Sequence, residues 1–144
     1  MPKERFMIVP VSHLILIEEG KVLLSRRFNT GWMDGNYSVP AGHLDGNETF
    51  LQAMIREAKE ETGIDINEKD LRVVHVIHRK TDHERADFFI QAERWDGMPK
   101  IMEPDKCDDI GWFPVDELPS NTIPYIRQAI ENIRNGVFYS EFGW

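Results

Sequence analysis

The sequence predicts an α/β sandwich, built as a single domain over residues 1–144. Short apolar segments bounded by glycine, proline, asparagine and aspartate recur along the chain, a pattern that is typical of β-strands. Two well-separated segments instead repeat apolar residues at helical spacing. Several strands combined with two separated helices favour packed layers of sheet and helix.

The first half of the chain is predicted to form a hairpin, a short third strand and a helix. The predicted elements are a strand at 8–17, a turn at 18–21, a strand at 22–25, a loop at 28–36, a strand at 37–39 and a helix at about 50–62. The loop is indicated by its glycine, asparagine and aspartate residues. Pro40 ends the third strand.

The second half is predicted to continue the sheet and to end in an amphipathic helix. The predicted elements are strands at 71–78 and 87–95, a polar loop at 96–108, a strand at 110–113, a turn at 116–119 and a helix at about 123–135. The apolar side of this helix carries Ile123, Ile126, Ile130 and Ile133. Gly136 is placed to end it.

Composition limits the partners and the compartment. A formal net charge of -8 argues against binding to the nucleic-acid backbone, although a divalent cation can bring a phosphorylated small molecule to an acidic site. Cys107 is the single cysteine, which excludes an internal disulfide and a multi-cysteine zinc site and favours the reducing cytoplasm. Pro10 and His13 interrupt the apolar run near the N-terminus, so a membrane span is not expected. We expect a cytoplasmic monomer or homodimer with a small-molecule partner.

The helix at 50–62 carries the clearest functional pattern. Thr49 and Gln52 form a predicted capping box at its start, and Gly63 is placed to end it. Spacing of i, i+3 and i+4 puts three carboxylates on one helix face, those of Glu57, Glu60 and Glu61. The neighbouring face is expected to pack on the sheet through Leu51, Ile55, Ala58 and Thr62.

Three carboxylates this close together repel one another. Like charges at i, i+4 cost roughly 0.2–0.5 kcal/mol per pair, and Arg56 can neutralise only part of the cluster. Bound Mg²⁺ would relieve the repulsion because this ion prefers oxygen ligands. From the glutamates alone, a solvated acidic helix face is the alternative interpretation.

The residues around the glutamates make the pattern far more specific. Read at fixed spacing, the defining positions of the segment 42–64 are Gly42, Glu48, Arg56-Glu57-Ala58, Glu60-Glu61 and Gly63-Ile64. At each of these positions the segment resembles the signature of the Nudix hydrolase family. A weaker resemblance extends over most of the chain. Ala41 stands where the family often has a second glycine, which is a minor difference.

The resemblance implies a fold, a reaction and a set of roles. It implies a Nudix-type α/β/α sandwich with a mixed central sheet. It also implies an enzyme that cleaves a nucleoside diphosphate linked to another moiety. The implied ligands of Mg²⁺, or alternatively Mn²⁺, are the backbone carbonyl of Gly42 and the carboxylates of Glu57, Glu60 and Glu61. Arg56 is implied to orient these carboxylates, and Glu48 to brace the loop against the helix.

Hydrolysis also needs a group that takes a proton from the attacking water. Either a helix glutamate or Glu103 is expected to do this. Glu103 begins a Glu-Pro-x-Lys-Cys run that is similar to one triphosphate-cleaving branch of the family. An exposed acidic loop is the alternative, and the rival carboxylates nearby are Asp105, Asp108 and Asp109.

Candidate substrate contacts lie outside the signature. Arg26 and Arg27 end the second strand and could meet phosphate, with a plain surface role as the equal alternative. Strand alternation places only one of them on the site face. His43 is a further candidate, with a structural hydrogen bond as its alternative. A basic stretch at 78–85 could hold phosphate or form a solvated turn. The aromatic candidates for stacking on a base are Phe28, Trp32, Tyr37 and Phe89, although such residues are more often core or loop filler than a base platform.

These observations predict a MutT-like, Mg²⁺-dependent nucleotide pyrophosphohydrolase that converts a (deoxy)nucleoside triphosphate to the monophosphate and pyrophosphate. The alternative substrates are nucleotide sugars and other dinucleotide-type diphosphates. Outside the enzyme class, the alternative is a non-catalytic Nudix module that binds a nucleotide. Such a module is expected to lack one or more of the three helix glutamates, and all three are present.

Overall fold

The computed structural model describes residues 3–144; Met1 and Pro2 of the predicted domain lie outside the described part. In residues 3–144 the chain forms nine strands, two α-helices and one short 3-10 helix. Their bounds are β1 Val9–Ile15, β2 Ile17–Glu18, β3 Lys21–Arg27, β4 Tyr37–Ser38, β5 Ala41–His43, α1 Phe50–Thr62, the 3-10 helix Glu68–Asp70, β6 Leu71–Lys80, β7 Glu84–Ala92, β8 Cys107–Pro114, α2 Pro124–Arg134 and β9 Tyr139–Phe142.

The strands form two sheets. The larger sheet has the order β5-β1-β7-β6-β9 and is mixed, because β1 pairs in parallel with β7 and β6 in parallel with β9. The smaller sheet is antiparallel, and its strand β3 pairs with each of the other three strands, β2, β4 and β8. The predicted hairpin is the β2–β3 pair. The mixed central sheet is therefore confirmed.

The two helices cover opposite faces of the larger sheet. Successive residues of β1 point in opposite directions: Leu14 packs with Met54 of α1, and Ile15 packs with Ile126 of α2. All four side chains are fully buried. Burial of one such side chain contributes about 1.5–3 kcal/mol, so both helix–sheet layers stabilise the fold. This arrangement confirms the α/β/α sandwich.

Helix α1 begins and ends at the residues that the sequence indicates. The Thr49 hydroxyl accepts the Gln52 N–H, the Gln52 side chain accepts the Thr49 N–H, and Gly63 adopts φ +79°. The buried face consists of Ala53, Met54, Ala58 and Thr62, whereas Leu51 and Ile55 are only partly buried. The sheet-facing stripe is thus rotated slightly from the predicted one, but Glu57, Glu60 and Glu61 still lie outside it.

Several predicted bounds move, and two short strands were not predicted. The strand expected at 87–95 spans 84–92, and the strand expected at 110–113 spans 107–114. Strands β5 and β9 are too short, and β9 too polar, to give a clear apolar pattern. Both lie at edges of the larger sheet. No helix within residues 3–144 is long and apolar enough to cross a bilayer.

Candidate active site

A cavity of about 880 Å³ opens beside the C-terminal end of α1. It is lined by strands of both sheets, by the loop after β3 and by the segment before β8. Gly42, Glu61 and Glu103 lie in its wall. A second hollow of about 710 Å³ surrounds Trp95 and contains none of the α1 glutamates. The first cavity is therefore the candidate active site.

Strand β5 and helix α1 meet at Gly42, where the backbone lies directly against the Glu57 carboxylate. A β-carbon at Gly42 would overlap the carboxyl carbon of Glu57 and lie 2.6 Å from its Oε2. Only glycine leaves room for this carboxylate. The glycine of the signature is therefore explained by a close approach rather than by a turn.

Arg56 joins the loop before α1 to the glutamates of the helix. Its guanidinium donates through Nε to Glu48 Oε2 at 3.1 Å and through Nη2 to Glu48 Oε1 at 2.7 Å. Its Nη1 donates to Glu57 at 2.9 Å and lies 3.5 Å from Glu60. Glu48 also accepts the Asp45 N–H at 2.8 Å. The bidentate pair fixes the loop on the helix, which fits the bracing and orienting roles expected of Glu48 and Arg56.

Glu61 points into the cavity from the last turn of α1. Its Oε2 accepts the Ala41 N–H at 3.0 Å. Burial and the neighbouring Glu57 carboxylate raise the pKa of Glu61 to about 8, with Glu103 adding to the effect. Burial likewise raises the pKa of Glu57, although Arg56 opposes the shift. The negative charges of Glu57 and Glu61 are therefore only partly balanced by the positive groups around them.

The donor set fits a hard divalent cation, but the side chains are not gathered around a ready-made site. Within residues 3–144, no three His, Cys, Asp or Glu side chains converge closely enough to hold a metal. Arg56 pairs with Glu57 at 2.9 Å and lies 3.5 Å from the half-exposed Glu60. The oxygen donors and the open backbone at Gly42 suit Mg²⁺.

Comparison with known proteins agrees with this geometry. A sequence model of the NUDIX domain matches residues 8–133. The chain belongs to the Nudix hydrolase family. A solved MutT NUDIX hydrolase from Burkholderia pseudomallei superposes with a TM-score of 0.80 at 25% identity, covering 88% of this chain and 98% of that one. Nudix hydrolases act on small nucleotide substrates and generally use a divalent metal such as Mg²⁺.

Two named relatives differ in what their names say they act on. An NAD-capped RNA hydrolase NudC from Chromobacterium violaceum is 31% identical over 128 residues, covering 85% of this chain and 46% of that protein. An 8-oxo-dGTP diphosphatase from Proteus vulgaris is 35% identical over 81 residues, covering 56% of this chain and 71% of that protein. This Nudix chain spans less than half the length of the NudC relatives that it matches.

Of the four acidic candidates in the 103–109 stretch, only Glu103 lines the cavity. Glu61 of α1 lines the same cavity, and the charge of Glu103 adds to the raised pKa of Glu61. Asp108 instead pairs with Arg26 at 2.8 Å, and Asp109 accepts the Tyr37 hydroxyl. Asp105 is exposed outside the cavity. Of these four carboxylates, Glu103 is therefore the one whose position is compatible with accepting a proton from a water molecule in the cavity.

Arg26 and Arg27 both reach the cavity, contrary to the expectation that only one would. A register shift between them against β8 breaks the alternation of the strand. Arg26 pairs with Asp108, while Arg27 donates to the carbonyl of Trp32 at 2.7 Å. Both guanidinium groups are thus held by hydrogen bonds within the protein.

His43 lines the cavity with an exposed side chain, and its carbonyl lies 3.4 Å from Arg56. Tyr37 does not line it: only 8% of the residue is exposed, and its ring packs edge-on against Phe113. Phe89 is fully buried. Tyr37 and Phe89 both belong to the buried core around α2, which keeps their rings out of the cavity. Trp32 is the aromatic candidate that remains exposed in the cavity wall.

The basic stretch at 78–85 divides into different environments. Arg79 is buried and binds Asp87, whereas Arg85 binds Thr81 and Asp82 at the hairpin tip. Both arginines line the cavity. The pair between Arg79 and Asp87 extends to His13, a residue without a functional pattern in the sequence. These three residues come from β1, β6 and β7, so only the sheet pairing brings them together.

Proposed function

We propose that this Nudix chain catalyses the Mg²⁺-dependent hydrolysis of a phosphoanhydride bond in a nucleoside-diphosphate-linked substrate. The proposed reaction converts a (deoxy)nucleoside triphosphate to the monophosphate and pyrophosphate. The observation that carries the proposal is the crowding of Glu57 and Glu61 against the open backbone of Gly42, with Glu103 across the same cavity. Such a cluster of poorly compensated oxygens suits a cation and the phosphates that it carries.

The roles of the residues follow from their positions. Glu57, Glu60, Glu61 and the carbonyl of Gly42 would hold Mg²⁺ or Mn²⁺, which neutralises phosphate charge and makes bound water more acidic. Arg56 orients the carboxylates and is itself anchored by Glu48.

Glu103 is the proposed acceptor of the proton from the attacking water, with a helix glutamate as its alternative. Arg26 and Arg27 lie in the same wall and would bind phosphate oxygens, as would His43 through its exposed ring. Tyr37 lies outside this arrangement, and its hydroxyl donates to Asp109.

Two substrate classes have support of different kinds. The triphosphate is supported by the relative named 8-oxo-dGTP diphosphatase and by the Glu-Pro-x-Lys-Cys run that begins at Glu103. A dinucleotide-type diphosphate is the second candidate, because the relatives named NAD-capped RNA hydrolase match up to nine-tenths of this chain. We also infer that the substrate is a free small molecule, since the formal net charge is -8.

The test is the release of pyrophosphate and orthophosphate from a panel of nucleotides and nucleotide conjugates, with Mg²⁺ and with chelator. Glu60→Gln should abolish release while the circular dichroism spectrum stays unchanged. Glu131→Gln, on the exposed side of α2, is the matched control and should remain active. Turnover of dinucleotides or nucleotide sugars alone would replace the triphosphate assignment. Silence across the panel would favour the non-catalytic module, whereas full activity of Glu60→Gln would overturn the role assigned to the α1 glutamates.

A further inference from the structure

The cavity has two chemically different parts. One part carries Gly42, Glu61 and Glu103, as described above. The other is built around the buried ring of Tyr125, which lies 5.8 Å from the ring of His13 and 6.5 Å from that of Trp32. Both neighbours also line the cavity. The second part combines aromatic surface with a small number of polar groups, as ligand pockets do.

Trp32 is presented to this part of the cavity by a tightly bonded loop. Asp34 accepts the N–H groups of Thr30 at 3.0 Å and Gly31 at 2.9 Å. Arg27 donates to the Trp32 carbonyl, and its guanidinium lies 5.0 Å from the centre of the indole ring. Even so, 45% of Trp32 remains exposed. An exposed indole on a fixed loop is suited to stacking against a flat ring.

His13, one of the residues that line the cavity, carries a buried polar atom without a hydrogen-bond partner. The residue is only 1% exposed, and its ring stacks on Phe89 with the ring centres 4.6 Å apart. Among the described residues, its Nδ1 is the one buried side-chain nitrogen or oxygen that has no hydrogen-bond partner. Leaving a buried polar atom unpaired costs about 1–3 kcal/mol. A donor on a bound ligand would recover that cost.

Asp87 determines which kind of partner Nδ1 can take. Its carboxylate accepts from Arg79 Nε at 2.6 Å and lies 3.0 Å from His13 Nε2. Burial raises the pKa of Asp87, but His13 and Arg79 outweigh burial and hold the pKa below its ordinary value. An ionised carboxylate only accepts, so Nε2 carries the hydrogen. In the neutral ring Nδ1 then presents a lone pair.

We propose that this part of the cavity is a nucleobase subsite, in which a base stacks on Trp32 and one of its N–H groups donates to Nδ1 of His13. The proposal deepens the proposed function and rests on it for the presence of a nucleotide. Phosphates would then lie toward Arg26, Arg27 and the glutamates. A ribose hydroxyl is the other donor that a nucleotide offers, and the experiments below separate the two.

The stacking contact is tested by isothermal titration with nucleoside 5′-monophosphates and with ribose 5-phosphate, all in Mg²⁺. None of these ligands has an anhydride to hydrolyse, so binding is measured without turnover. Trp32→Ala should weaken monophosphate binding roughly five- to hundredfold and leave ribose 5-phosphate unchanged, whereas Trp32→Phe should retain most of the affinity. Phe28→Ala is the matched control, because Phe28 is equally exposed but outside the cavity wall.

The hydrogen bond is tested by reversing its direction. In Asp87→Asn the new amide can donate to His13 Nε2, which moves the ring hydrogen to Nδ1 and turns that atom into a donor. AMP and IMP, or CMP and UMP, exchange donors and acceptors along the base edge. The affinity ratio within a pair that the wild type distinguishes should therefore invert, changing by at least about tenfold. His13→Phe keeps the stacking on Phe89 but removes the acceptor, so its ratio should approach one.

Each other outcome is decisive. A wild-type protein that binds both members of every pair equally, or binds no monophosphate, overturns the subsite. Equal losses for all ligands in Asp87→Asn and His13→Phe would show a purely structural role. The same titrations with dAMP and dCMP test the sugar: a change confined to the preference for AMP over dAMP, or CMP over dCMP, would assign His13 to the ribose and overturn the base contact. Base discrimination without hydrolysis of any panel substrate would instead refute the proposed function and leave the subsite standing.

Discussion

At the scale of single residues, the geometry of the site depends on the lack of a side chain at Gly42. Gly42→Ala should reduce kcat/KM about a hundredfold, because the new methyl group must displace the Glu57 carboxylate by an ångström or more. The fold should survive, since the displaced atoms are the end of a flexible side chain. Steady-state kinetics and thermal unfolding measure the two effects separately.

Gly111→Ala provides the control for this substitution. Gly111 also lies in a strand, but a β-carbon there would meet only the Phe113 ring at 3.5 Å, an ordinary contact. This variant should keep wild-type kinetics. A Gly42→Ala enzyme as active as Gly111→Ala would show that the position of Glu57 is not critical.

Glu61 illustrates a conflict between stability and function. Its pKa of about 8 lies above the value of about 4.3 in the unfolded chain, so its ionisation removes stability as pH rises between these values. In chelator at pH 8, Glu61→Gln should therefore melt at a higher temperature than the wild type, while Glu131→Gln should not. Differential scanning calorimetry measures this, and added Mg²⁺ should narrow the difference. A variant that melts lower would show that Glu61 is not destabilising.

At the scale of elements, α1 is specified locally. The Thr49 hydroxyl caps a free N–H, so Thr49→Ala should lower the free energy of unfolding by about 1 kcal/mol without changing the chemistry of the site. Urea denaturation measures the loss. Thr49→Ser, which keeps the hydroxyl, should stay close to the wild type. Equal losses in both variants would indicate that packing, rather than capping, is responsible.

Elements that are specified locally can be predicted from the sequence, whereas elements that depend on pairing with distant strands cannot. Helix α1 has a capping box, an apolar stripe and a terminal glycine within one segment, so its bounds need no information from the rest of the chain. Strand β9 has neither length nor apolar alternation, and it exists only because β6 offers a free edge. The bulge after Arg26 is likewise imposed by pairing with β8, which is why alternation gave the wrong count of cavity-facing arginines.

At the scale of the whole molecule, Asp87 ties three strands together. It lies on β7 and binds His13 of β1 and Arg79 of β6. Because its folded pKa is depressed, its contribution to stability is present above the unfolded value of about 3.9 and is lost as pH falls through the folded value. The stability difference between wild type and Asp87→Asn should stay constant above about pH 5 and shrink below about pH 4. A difference that persists in acid would contradict the assignment.

Site residues that lie close together in the sequence could be predicted as a group, whereas those that lie far apart could not. The glutamates proposed to bind metal and Gly42 fall within one short signature, so the sequence could predict them as one group. The His13–Asp87–Arg79 set was not predicted, because parallel pairing of β1 with β7 brings its members together from distant positions. Tyr37 was misplaced for a similar reason, since its partners Phe113 and Asp109 belong to β8.

The parallel pairing of β1 with β7 also has a kinetic consequence. The β6–β7 hairpin closes over a three-residue tip and forms locally, but β1 joins it only after the long intervening segment, which includes α1, has been looped out. Closing such a loop costs entropy before any contact repays it, so we expect the pairing of β1, rather than the formation of α1, to limit the rate of folding. Until then, β7 offers an open edge that other unfolded chains can occupy, and crowded refolding favours aggregation.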